Sequence, residues 1–148
     1  MAFGYVTYKT FAPVNIIASD LTGSEGCGLK LDGEGAVSLA VTQGSLPYAI
    51  VAVGSSTPDG VYPGQPVAGS LEVIDQLGCA VQVQASDAAG VSAGDLIQID
   101  PAASVPGSFK ADNTPANNTF VWGIALTDCA AGEQFILRFA PYKAVVPA

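Results

Sequence analysis

The chain contains no histidine. Ser-His-Asp and Cys-His nucleophile arrangements are therefore closed to it, as is any zinc site that needs an imidazole. Charge is scarce as well. Charged residues make up 12% of the chain, against roughly 25% in an ordinary soluble domain. Five residues are basic (Lys9, Lys30, Lys110, Arg138 and Lys143), 13 are acidic, and the net charge is −8. The five cations are scattered and form no stripe. Direct binding of nucleic acid, which needs cations to neutralise phosphates, is excluded on that ground, and so is attraction to an anionic membrane. No apolar run approaches the roughly 20 residues that span a bilayer as a helix. The opening MAFGYVTYKTF has neither the basic region nor the apolar core of a signal peptide, so synthesis in the cytosol is expected.

Sulfur chemistry is thin too. The three cysteines, Cys27, Cys79 and Cys129, are odd in number and widely spaced, and no CxxC occurs. Free thiols are the expectation, with Cys79 as a small core hydrophobe; pairing of two of them is the alternative. Residues 19–35 hold five glycines, yet lack the GxxxxGK[ST] spacing of a phosphate loop. Asp20, Glu25, Asp32 and Glu34 lie in the same stretch without EF-hand spacing, and read as a solvated acidic loop. No metal, cofactor or catalytic residue is expected.

What the chain does have is β-forming sequence. Val, Ala, Ile and Leu dominate the apolar half, and 17 Gly and 10 Pro supply turns. Val37, Leu39 and Val41 alternate with polar or small residues, as do Cys79, Val81, Val83 and Ala85. Tyr48 to Val53 is continuously apolar and reads as a central strand. Residues 71–77 fit either a short helix capped by Ser70 or a strand, with the strand favoured. Ser86 begins a turn or a single helical turn. The densest apolar runs, Val121–Leu126 and Phe135–Phe139, are joined by the turn-rich 127–133, and Gly94-Asp95 opens a third strand, Leu96–Asp100. These three strands are expected to form the heart of the molecule. Residues 54–70 and 101–118 read as long loops. The fold class is all-β, a small barrel or sandwich with at most one or two short helices.

Residues 1–18 differ from the single β-rich domain expected over 19–148. Phe3, Tyr5, Tyr8 and Phe11 crowd four aromatics ahead of Pro13. Such a terminus is either a first strand of the domain's own sheet or an arm that orders against a partner. Asp95, Asp100, Asp128 and Glu133 gather at strand ends and could in principle form an acid–base pair, but turns commonly carry carboxylates for structural reasons. Trp122, Tyr48 and Tyr62 could form a sugar platform; the Phe120-Trp122-Ile124-Leu126 alternation more simply reads as one core face. Asn117-Asn118-Thr119 matches a glycosylation sequon by accident in a chain without a secretion signal.

Three segments, in order, carry a resemblance: Ala93-Gly94-Asp95-Leu96-Ile97, Val121-Trp122-Gly123-Ile124-Ala125-Leu126 and Ala131-Gly132-Glu133-Gln134-Phe135. With the variable loop between the first two, they make the chain similar to the capsid decoration, or cement, proteins of tailed phages. The likeness is carried by these segments and only loosely by the middle of the chain, and the long loops depart from the most compact members. It implies a β-rich structural protein on the exterior of the virion, made in the host cytoplasm. Its partner would be the major capsid protein, and a homotrimer is implied. It also implies an arm, here Phe3, Tyr5, Tyr8 and Phe11, that orders on the capsid. The alternative is a virion-attached carbohydrate-binding or head-fibre β-sandwich module.

Overall fold

A computed structural model describes residues 10–11, 16–17, 21–32, 36–53 and 72–147. Among them there is no helix, and eleven strands form two sheets. The strands are β1 (Thr10–Phe11), β2 (Ile16–Ile17), β3 (Gly28–Leu31), β4 (Ala36–Leu39), β5 (Pro47–Val53), β6 (Glu72–Ile74), β7 (Ala80–Gln84), β8 (Leu96–Ile99), β9 (Phe109–Ala111), β10 (Phe120–Ala125) and β11 (Gln134–Lys143). The six-stranded sheet runs β1-β6-β5-β3-β4-β2, and the five-stranded sheet runs β7-β11-β10-β8-β9. All pairings are antiparallel except the two-residue β2–β4 pairing.

The sheets pack around one core as a small β-sandwich. The five-stranded sheet curls far enough that Ala85, just past β7, bridges Phe109 of β9, and the Ser86 N–H donates to the Phe109 carbonyl at 2.7 Å. The six-stranded sheet closes the remaining gap. Gln84 N–H bonds the Gly26 carbonyl at 3.0 Å, and Gly28 N–H bonds the Gly107 carbonyl at 2.9 Å.

Trp122 is the largest fully buried side chain. Its ring meets Phe109 edge-on at a centroid separation of 5.3 Å and Phe139 at 6.1 Å, both within the favourable range for aromatic pairs. Its outer rim lies against Gly28 of the other sheet, where an added Cβ would come within 2.8 Å of the indole. A backbone without a side chain is what lets the two sheets approach across the indole.

Gly123 decides how Trp122 reaches that core. Its φ is +153°, and a Cβ there would lie 1.8 Å from the Arg138 carbonyl oxygen. The β10–β11 register shifts at this point: Val121 pairs with Tyr142, while Gly123 pairs with Phe139. The extra residue falls on β11 at Ala140–Pro141, where the missing proline N–H is tolerated. Trp122 and Ala125 turn inward, but Ile124 and Leu126 are 43% and 38% exposed. The single core face expected of Phe120, Trp122, Ile124 and Leu126 is therefore split, because the backbone at Gly123 breaks the period of two within β10.

The six-stranded sheet buries side chains on both of its faces. Ala40, Ile50, Ala52 and Ile74 join the shared core, while Leu29, Val37, Ala49, Val51 and Val73 form a second cluster with Leu21. This fits the apolar run of β5: the strand lies between β6 and β3, and its residues Ala49, Ile50, Val51 and Ala52 are buried on both faces. Residues 72–74 form a strand, as favoured. The stretch read as a loop over 101–118 contains β9, which pairs with β8. Three residues between turn signals are too short a run for alternation to register. Ser86 caps no helix; its hydroxyl accepts the Ala88 N–H at 3.1 Å and donates to Asp100.

Candidate functional site

The three segments that carry the resemblance converge on one end of the five-stranded sheet. Gly94 takes the left-handed conformation (φ +92°) that the turn before β8 requires. The turn is closed by Asp95 N–H to the Ser92 carbonyl at 3.0 Å and by Ser92 N–H to the Asp95 carboxylate at 2.9 Å. It docks on β10 twice, through Gly94 N–H to the Ala125 carbonyl at 2.8 Å and Ala125 N–H to the Asp95 carbonyl at 2.9 Å. The β10–β11 connection reaches back: Ala93 N–H donates to the Asp128 carboxylate at 2.8 Å, and Val91 and Cys129 form an isolated bridge. Gly132 (φ +76°) donates to the Ser86 carbonyl at 2.8 Å, and the Glu133 carbonyl accepts the Ala85 N–H at 2.9 Å. Segments far apart in the chain thus become one hydrogen-bonded rim.

The four carboxylates considered for acid–base work are occupied within this framework. Asp95 accepts from Ser92 N–H and from the Asn113 amide at 2.9 Å, and Asn113 in turn accepts the Leu96 N–H at 2.8 Å. The Asn113 amide, with the Ser92 N–H behind it, holds the Asp95 carboxyl below its usual range. Asp128 accepts from Ala93, Glu133 accepts the Ala130 N–H at 3.3 Å, and Asp100 accepts from Ser86 and from the Ala102 N–H at 3.0 Å. Asp95 and Asp128 flank one turn, whereas Asp100 lies beyond the far end of β8. Each carboxylate thereby orders a backbone N–H of a turn. No grouping of three or more His, Cys, Asp or Glu residues suited to a metal ion occurs among the described residues.

The sugar platform is not assembled through Trp122, which is fully buried between the sheets. Tyr48 is half-buried against the second cluster of the six-stranded sheet, and Tyr62 lies outside the described residues. Of the arm residues, Phe3, Tyr5 and Tyr8 also lie outside them. Phe11 lies in β1, where its backbone pairs with Glu72 of β6.

No protein-family model matches the chain, and no curated protein matches it.

None of the three cysteines is joined in a disulfide. Burial, with Glu25 adding to it, pushes the Cys27 thiol up to about 12, and burial raises Cys129 as well. Three important residues gave no signal in the sequence reading. Asn113 looked like any loop residue, yet it orients Asp95. Gly28 looked like part of a flexible loop, yet it seats the indole. Gln98, in an apolar strand, is fully buried; it accepts from Gln43 at 3.0 Å and donates to the Thr119 hydroxyl at 2.8 Å. That network ties the turn before β5 to β8 and to the loop before β10, and it satisfies an otherwise costly buried amide.

The outward rows of the five-stranded sheet form its most open surface. Ile124 stands between Leu96 and Arg138, and Ile136 stands beside Gln82. Leu126 N–H bonds the Ile136 carbonyl at 2.7 Å, which places these two side by side.

Proposed function

We propose that this chain is a structural virion protein. It binds the outer surface of a phage head and cements neighbouring major capsid subunits against the pressure of packaged DNA. The observation that carries the reading is the placement of the three resembling segments. They are separated in sequence, yet they occupy adjacent strands β8, β10 and β11. Their shared residues Gly94, Asp95, Gly123, Gly132 and Glu133 each hold a turn or a close backbone approach. A likeness concentrated in such residues is one of architecture, as a structural role requires. The occupied carboxylates and the sparsely charged surface agree with that role.

The physical logic is additive. A protein that bridges capsid subunits buries area at each junction. At roughly 25 cal/mol per Å2 of apolar surface, even contacts of standard size oppose local opening after association costs are met. Repetition over the shell adds avidity. The aromatic start is assigned to attachment on this reading.

The test is cosedimentation of the purified protein with undecorated heads, using the full chain and a chain lacking residues 2–12. Saturable binding at a fixed ratio to capsid subunits, weakened by the deletion, is expected. Absence of binding to any head overturns the function. Undiminished binding by the truncated chain overturns the role of the arm.

A further inference from the structure

We propose that residues 1–9 of the chain fold back over its own apolar end, the end of the six-stranded sheet at which β3 stops and β5 starts. Leu31 and Leu46 flank the paired residues Lys30 and Pro47 there, and are 43% and 58% exposed. β6 runs antiparallel to β5 and leaves the sheet at the same end, where Leu77 follows it and is 70% exposed. Val145 and Val146, both exposed, stand across the sandwich: Ala144 N–H bonds the Thr119 carbonyl at 2.8 Å, and Phe120 N–H bonds the Gln43 carbonyl at 2.9 Å. Single exposed apolar residues are ordinary, but a gathering of them marks a surface that something covers.

Strand direction selects the occupant. Thr10 is level with Val73, and Val73 with Val51, so β1 runs parallel to β5 across the intervening β6. The chain before Thr10 therefore enters the sheet from the end where β5 starts. Leu46 lies five residue levels along from Val51, about 17 Å, and two strands across from β1, about 10 Å. The direct path from Thr10 is thus about 20 Å, or about six extended residues, which brings Phe3, Gly4 and Tyr5 to Leu46. Alternation puts Phe3 and Tyr5 on one side of an extended segment. The only charged side chain in residues 1–9 is Lys9, and Asp32 and Asp75 follow β3 and β6 at the end it approaches. Any other occupant has to be supplied from outside, whereas this segment is tethered within reach.

Phe3 and Tyr5 each bring roughly 150–250 Å2 of surface to the contact. The entropy of ordering the segment opposes it, so the contact is reversible. Any other partner of these aromatics, a capsid included, then competes with the chain's own end. The inference does not rest on the decoration reading and stands without it.

The test uses the full chain in dilute solution without heads, so its outcome is separate from that of the decoration reading. Gly4→Cys is combined with Leu46→Cys or, as a control, with Leu126→Cys on the other sheet, each in a Cys129→Ser background that removes the partly exposed thiol. With oxidised glutathione, the intramolecular disulfide is expected to form at least about tenfold faster with Leu46→Cys than with Leu126→Cys. In a second arm, the double variant Phe3→Ser, Tyr5→Ser is expected to bind more of an apolar fluorescent dye, and adding Leu46→Ser and Leu77→Ser is expected to reverse the rise. Near-UV dichroism of Trp122 verifies that each variant is folded. Equal rates for the two cysteine pairs, or dye binding unchanged by Phe3→Ser, Tyr5→Ser, would each overturn the proposal. Disulfide-linked dimer as the main product with Leu46→Cys would also overturn it, by making a second copy the occupant.

Discussion

The two sheets solve the same burial problem in opposite ways. The five-stranded sheet has one buried face and one open face, and it curls so that its own edges nearly meet at Ala85 and Phe109. The six-stranded sheet buries side chains on both faces, with Ile50 and Ile74 on one side and Leu29, Val37 and Val51 on the other. The difference teaches where side-chain identity is constrained. In the curled sheet β7 and much of β11 alternate between buried and more exposed residues, whereas Ile97, Gln98 and Ile99 of β8 are all buried. In the six-stranded sheet the successive residues Ala49, Ile50, Val51 and Ala52 of β5 are all buried.

The largest expected effect breaks the bulge on which the curled sheet depends. Trp122→Ala is expected to cost about 3–5 kcal/mol, the range for emptying a large aromatic site. Gly123→Ala is expected to cost at least about 3 kcal/mol, because its Cβ would collide with the Arg138 carbonyl in a conformation reserved for glycine. Denaturant unfolding checks both. Survival of Gly123→Ala at wild-type stability would mean that the bulge does not seat the indole.

The next test addresses the contrast itself. Leu29→Ala and Ile50→Ala remove side chains from opposite faces of the six-stranded sheet, and each is expected to cost about 2–5 kcal/mol. Ile124→Ala, on the open face of the other sheet, is expected to cost under about 1 kcal/mol. A small loss at Leu29 would refute the two-sided burial of the six-stranded sheet.

The smallest effects are those of pH, and they work in opposite directions in the two sheets. The Cys27 thiol, next to β3, is raised to about 12 in the folded chain from 9.0. Its contribution is complete below about 9 and is lost as pH rises from there toward about 12, because the unfolded thiol ionises first. Asp95, at the rim of the five-stranded sheet, is lowered by Asn113 and Ser92. Its contribution is present above the ordinary carboxylate value and is lost as pH falls through the lowered one. Melting temperature against pH should therefore lose part of its alkaline fall in Cys27→Ser and part of its acid fall in Asp95→Asn. Unchanged profiles in both variants would count against these assignments.

The curled sheet was the more legible of the two. The alternation of Val81, Val83 and Ala85 and the paired runs around Gly123 and Gly132 point to strands β7, β10 and β11, because a sheet with one wet face writes its period into the chain. The continuous run Tyr48 to Val53 indicated a central strand without indicating what covers either side. β9 escaped notice because three residues cannot show a period. The rim could be listed as carboxylates at strand ends, but Asn113, its key partner for Asp95, lies 18 residues from it in sequence.

Local pattern determined the fold class, the main strands, the turns that glycine and aspartate hold, and the exclusion of histidine chemistry. These follow from residue type and short-range periodicity, which act within a few residues. Tertiary structure alone decided that Trp122 turns inward while Ile124 faces out, that Gly28 faces the indole, and that Asp95, Asp128 and Glu133 order backbone at one rim. Each depends on which distant strand lies alongside. That is set by the simultaneous packing of both sheets and by the need to satisfy every buried backbone group, and no single segment carries that information.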